Sequence, residues 1–105
     1  MANELEIMAR RLAELGHPTR LGIFRLLVKA GPQGLPVGDI QSELDIPGST
    51  LSHHLARLVQ ADLIEQERAK NTLYCKPCFG ALQETLDFLL KECCQGSCSL
   101  AAAGS

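Results

Sequence analysis

Tryptophan is missing from this 105-residue chain, and aromatic residues of all kinds make up only 4%. A core without large rings must be built from Leu, Ile, Val and Ala, which favours helices over a sandwich or barrel. Long apolar runs are missing as well: no stretch approaches the roughly 20 residues that a membrane-spanning helix needs. The opening Met1-Ala2-Asn3-Glu4-Leu5-Glu6 is acidic, without the basic start and apolar centre of a secretory signal. The expectation is a cytoplasmic chain with no membrane partner, in a compartment where thiols stay reduced. A basic excess is also lacking, since the net charge is −2. Its distribution says more than its total. Between Ile46 and Ala61 there is no acidic residue, while His53, His54 and Arg57 are present. A mildly acidic protein can bind nucleic acid through one locally favourable face.

What is present suits one compact domain. Hydrophobic residues reach 46%, ordinary for a globular protein, and so small a core gains from burial against a second subunit. We expect a single domain over residues 1–98 and a disordered tail over 99–105, where Ser, Ala and Gly dominate. Asn3, with Glu6 three residues later, marks a helix start, and Leu5, Met8, Ala9, Leu12, Ala13 and Leu15 recur at helical spacing up to Gly16. A second helix follows Pro18 and runs to Ala30; it is apolar nearly all round and so expected to be buried. Gly31-Pro32-Gln33-Gly34 breaks it.

A short amphipathic helix from Val37 to Leu44, the interruption Ile46-Pro47-Gly48 and another helix from about 49 to 61 form a helix-turn-helix candidate. Leu51, Leu55, Leu58 and Val59 supply the inner side of the second helix. Its outer side carries Ser49, Thr50, Ser52, His53, Ala56 and Arg57. Small hydroxyls let a helix approach base edges, Arg and His donate to guanine or phosphate, and a helix N-terminus offers free N–H groups to phosphate. Taken alone, such a face is more often merely solvated. The next segment shifts the balance. Two short extended runs, Leu63 to Glu67 and Thr72 to Cys75, flank Ala69-Lys70-Asn71 and read as a hairpin wing over about 63–76, with Arg68 and Lys70 at its tip. A last helix, about 79–94, carries Leu82, Leu86, Leu89 and Leu90. The predicted fold is mainly α with a small β-hairpin, a winged helix-turn-helix.

Leu15 to Leu27, then Ser52, His54, Leu55, Leu58, Ala61, Leu63 and Ile64, and the hairpin ending Leu73-Tyr74-Cys75-Lys76-Pro77 resemble the ArsR/SmtB family of bacterial metal-responsive repressors over residues 5 to 92. The resemblance implies a homodimer formed by the first and last helices. It also implies binding to double-stranded operator DNA at an imperfect inverted repeat, and release of that DNA when an effector binds.

Cys93, Cys94 and Cys98 lie within six residues at the end of the last helix, and Gly96 permits the chain to turn between them. Soft thiolates select thiophilic ions, and three sulfurs match trivalent arsenic or antimony, whereas structural zinc wants four ligands. Arsenite As(III) or antimonite Sb(III) is therefore the expected effector, and no organic cofactor is expected. The blander reading is a cysteine-bearing tail without a ligand. Other sites known in the resembling family are not matched. Residues 35–40, before the recognition helix, hold no thiol, residues 81–92 no His, and the second helix no Cys to pair with one on the last, as persulfide sensors have. Cys75 and Cys78 form a C-x-x-C read as packing or surface residues more readily than as ligands. A thiol redox sensor of the same fold is the alternative. A thiol enzyme or metal carrier is weaker, because no general base or cofactor loop accompanies the cysteines.

Overall fold

The computed structural model describes residues 3–91. Helix α1, Glu4–Leu15, starts from a reciprocal cap: the Glu6 N–H donates to Asn3 Oδ1 at 2.8 Å and the Asn3 N–H to Glu6 Oε1 at 3.3 Å. Helix α2, Pro18–Ala30, has Pro18 in its first turn and His17 as N-cap, whose Nδ1 accepts the Thr19 N–H at 3.1 Å. Helices α3, Val37–Leu44, and α4, Gly48–Gln60, are the expected pair. Asp45 makes the turn between them in the left-handed region at φ 53, a conformation its short polar side chain tolerates. Gln41 Nε2 braces that turn by donating to the Ile46 carbonyl at 3.2 Å.

Strands β2, Ile64–Ala69, and β3, Thr72–Pro77, form the expected hairpin, closed by Lys70 and Asn71 with Ala69 opposite Thr72. The sheet nevertheless has three strands. Residues Leu35–Pro36 form β1, antiparallel to β3 with Leu35 opposite Cys75, in the order β1-β3-β2. Gly34 makes this possible: at φ +69 its backbone lies so close to the Cys75 carbonyl that a Cβ would overlap it. Pro36 is tolerated because β1 is an edge.

Ile23, Phe24 and Leu27 of α2, Ile40 of α3 and Leu51, Leu55 and Leu58 of α4 pack with Leu63, Ile64 and Cys75 as one core. Helix α2 is less enclosed than expected, because Leu21 is 42% exposed and Leu26 and Val28 are only half-buried. On α1 the buried positions are Met8, Arg11 and Glu14, while Leu5, Ile7 and Leu12 are exposed. Helix α5, Phe79–Leu90, likewise buries Thr85 and leaves Leu86, Leu89 and Leu90 exposed. Helix α5 ends at Leu90, short of the expected end near residue 94, because Lys91 leaves the helical region at ψ 131 as its C-cap. The tail 99–105 lies outside the described residues. No described helix is long and apolar enough to cross a membrane.

Candidate nucleic-acid interface

Helix α4 turns a strip of short polar side chains to solvent. Ser49, Thr50, Ser52, His53 and Arg57 are all exposed, while Leu51, Leu55 and Leu58 beneath them are buried. Its N-cap is Pro47, which has no side chain able to accept a hydrogen bond, and its first turn holds no acidic residue. The first-turn N–H groups are thus free of side-chain caps, an arrangement favourable to phosphate. At the other end Asp62, at φ 62, closes the helix. Its N–H donates to the Val59 carbonyl at 2.9 Å and that of Leu63 to the Leu58 carbonyl at 3.0 Å, the paired bonds of a Schellman cap. The chain then enters β2 directly, so recognition helix and wing share a junction of three residues.

The wing presents Arg68, opposite Leu73, and Lys70, in the loop at φ 58; both are exposed and, among the described residues, neither is in an ion pair. Glu67 is paired with Lys76, which holds its carboxyl below the usual range. The acid nearest the tip is thereby partly neutralised.

Beneath α4 lies an ionic network that the sequence reading missed. Glu14, 7% exposed, accepts from Arg57 Nε at 3.2 Å and Nη2 at 3.0 Å through Oε2. Its Oε1 is 3.1 Å from Arg20 Nε but receives no hydrogen bond, because that N–H is aimed at the Glu14 carbonyl at 2.9 Å. Arg57, expected only as a DNA contact, is therefore also tied to α1. Arg20 Nη1 lies 3.1 Å from Nδ1 of buried His54. A guanidinium can only donate, so Nδ1 accepts and the imidazole is neutral with its proton on Nε2. Burial first, then the His17, Arg20 and His53 charges, push the His54 pKa below its ordinary value. His54 is structural, and exposed His53 is the one free to reach DNA. The missed signal was two opposite charges at i, i+3, Arg11 and Glu14, on the face shared with Met8.

Cys93, Cys94 and Cys98 lie outside the described residues. Cys75 is fully buried and Cys78 half-buried. Burial raises both thiols above their ordinary pKa, and Glu65 and Asp62 raise Cys78 further. Both are therefore poor thiolate donors. No three His, Cys, Asp or Glu side chains converge on a metal position among the described residues.

Residues 15–67, just over half of the chain and including the helix pair and the first four residues of strand β2, match the family model described as a helix-turn-helix domain. The chain belongs to that family. Comparison with curated protein sequences found no match. Among solved structures, the chain is similar to NolR from Sinorhizobium fredii at 30% identity, covering 84% of this chain and 85% of that one with a TM-score of 0.66. It is also similar to an ArsR-like transcriptional regulator from Rhodococcus sp. RHA1, at 21% identity over 92% and 89% with a TM-score of 0.75. A third is the homodimeric winged helix-turn-helix DNA-binding domain of Mb0332 from Mycobacterium bovis, at 22% identity over 84% and 82% with a TM-score of 0.68. The helix-turn-helix and wing seen here are thus the fold of ArsR-type regulators.

Proposed function

We propose that this chain is a homodimeric repressor that grips an imperfect inverted repeat in double-stranded operator DNA and lets go when As(III) or Sb(III) is held by Cys93, Cys94 and Cys98. The observation that carries DNA binding is the uncapped, acid-free N-terminal turn of α4, with exposed Ser52 and His53, placed beside a wing tip bearing Arg68 and Lys70. Small hydroxyls and His suit base edges, and the wing cations suit phosphate.

Dimerisation is supported by the apolar residues left uncovered on α1 and α5, among them Leu5 at 64% and Leu90 at 61% exposure. Side chains of that size gain from removal from water. The effector reading rests on the donor set: three soft thiols close in sequence, just beyond α5, fit a trivalent centre that makes three bonds. Cys75 is buried in the core and Cys78 is half-buried, and burial raises the pKa of both thiols, which disfavours them as ligands. Cys93, Cys94 and Cys98 follow α5 closely in sequence, so an ion drawing them together would bias how two copies joined through α1 and α5 sit. Usable derepression needs only about a 5- to 150-fold loss of DNA affinity.

Titration with arsenite, following the fluorescence anisotropy of a labelled duplex from the chain's own promoter, tests this. The wild-type complex should dissociate. The Cys93→Ser/Cys94→Ser variant should bind DNA normally and resist release, and Cys75→Ser should release normally. Normal release from the double variant would refute the site. Release by a thiol oxidant but not by arsenite would establish the redox sensor instead.

A further inference from the structure

The recognition helix and the wing meet at residues 61–63, and both anchors of that junction lead to α5. The Cys78 N–H, at the N-cap of α5, donates to the Leu63 carbonyl at 2.9 Å. The Ala61 carbonyl, at the end of α4, accepts from Arg11 Nε at 3.3 Å. Arg11 belongs to α1, but its other end reaches α5: Nη1 lies 2.8 Å from Glu84 Oε1, 3.3 Å from Thr85 Oγ1 and 3.4 Å from the Ala81 carbonyl. Its side chain is 8% exposed and Glu84 is 58% exposed.

A guanidinium is a rigid planar fork, so its two ends cannot move independently. A buried cation is also costly to leave without its partners. The group therefore follows the α5 acceptors if that helix shifts, and carries its bond to the Ala61 carbonyl with it. That carbonyl sits where a cation is favoured by the helix dipole. Displacement there tilts α4 and the root of β2 together.

We infer that Arg11 is a positioning residue for DNA binding, coupling α5 to the shared base of the recognition helix and wing. The inference deepens the DNA-binding reading above and does not depend on which effector acts on α5.

Glu84→Gln tests it, because Glu84 is exposed enough for the fold to survive. It keeps the shape of the side chain and weakens its hold on Arg11. Affinity for the promoter duplex should fall by about twofold or more, the lower end for groups in direct contact. The sign is decisive, since losing a negative charge would by itself favour a polyanion. Asp87→Asn removes the same charge from α5, where Asp87 bonds only Gln83 among the described residues, and should leave affinity level or raise it. In an Arg11→Met background, Glu84→Gln should no longer lower affinity and should behave like Asp87→Asn, leaving it level or raising it. If Arg11→Met does not fold, Arg11→Lys carries the same cycle, because an ammonium cannot bridge both acceptors. An unchanged or raised affinity in Glu84→Gln, or additive effects in the cycle, would overturn the proposal. Failure of arsenite to release the wild type would instead count against the effector reading, as no effector enters this cycle.

Discussion

Replacing Glu14 by Gln should unseat the recognition helix more than replacing any residue on its surface. The carboxylate lies between two arginines of unequal burial: the Arg57 side chain is 45% exposed and that of Arg20 10%. Arg57 can rehydrate when its partner loses charge, so its share is that of a screened pair, under about 1 kcal/mol. Arg20 cannot. Removing one member of a buried pair costs about 3–5 kcal/mol when the other charge is stranded. Here the loss is softened, because Arg20 keeps the Glu14 backbone carbonyl at 2.9 Å and Gln retains an acceptor. We expect a loss of about 2–3 kcal/mol, just below the range for a stranded charge. That is a large part of the stability of a small domain. Arg57→Ala leaves the Glu14–Arg20 contact in place and should cost about 0.5–1 kcal/mol. Urea unfolding followed by far-UV circular dichroism at neutral pH checks both, at one fixed protein concentration because a dimer's stability varies with it. The Glu14→Gln midpoint should drop by about 1 M or more, given typical urea slopes. A Glu14→Gln protein within about 0.5 kcal/mol of wild type, the range of an ordinary surface change, would refute the reasoning. So would a larger loss in Arg57→Ala.

Acidification should act on the same cluster through His54. Its pKa is held below the ordinary 6.5, so below that pH the unfolded chain takes up the proton first; stability is full above it and falls as pH drops through it. Urea midpoints across this interval should decline more steeply for wild type than for His54→Gln, and parallel curves would contradict the assignment of a neutral His54. On DNA, affinity should fall steeply with salt, and Arg68→Ala or Lys70→Ala should weaken all duplexes alike while reducing the salt slope by about one. Ser52→Ala or His53→Ala should change the ranking of operator variants by about 1–3 kcal/mol per lost base contact. Wing substitutions that alter sequence preference, with helix substitutions that do not, would reverse the assigned roles.

The helices were legible along the chain because their signals act over a few residues. Asn3 with Glu6, Pro18, the Gly31–Gly34 break and the Val37–Leu44 pattern each set a boundary through local hydrogen bonds or backbone limits, whatever the rest of the molecule does. The polar outer side of α4 was legible for the same reason, since Leu51, Leu55 and Leu58 name the inner side. Strand β1 was not. Two residues, one of them proline, carry no alternation, and they pair only because Gly34 lets the chain pass against Cys75.

Sequence alone thus settled the order and kind of the main elements and the side chains α4 offers to solvent. Its periodicity on α1 and α5 marked helices but did not say which face turns inward against the rest of the domain. That depended on partners far along the chain: Arg11 meets Ala61 and Thr85, 50 and 74 positions away, and Glu14 meets Arg57 at 43. With those charges turned inward, Leu5, Leu12, Leu86 and Leu90 were left on the surface. Burying a charged side chain is tolerable only where opposite charge and backbone carbonyls are already assembled around it. No local pattern specifies such an assembly; it exists only once α1, α2, α4 and α5 have packed.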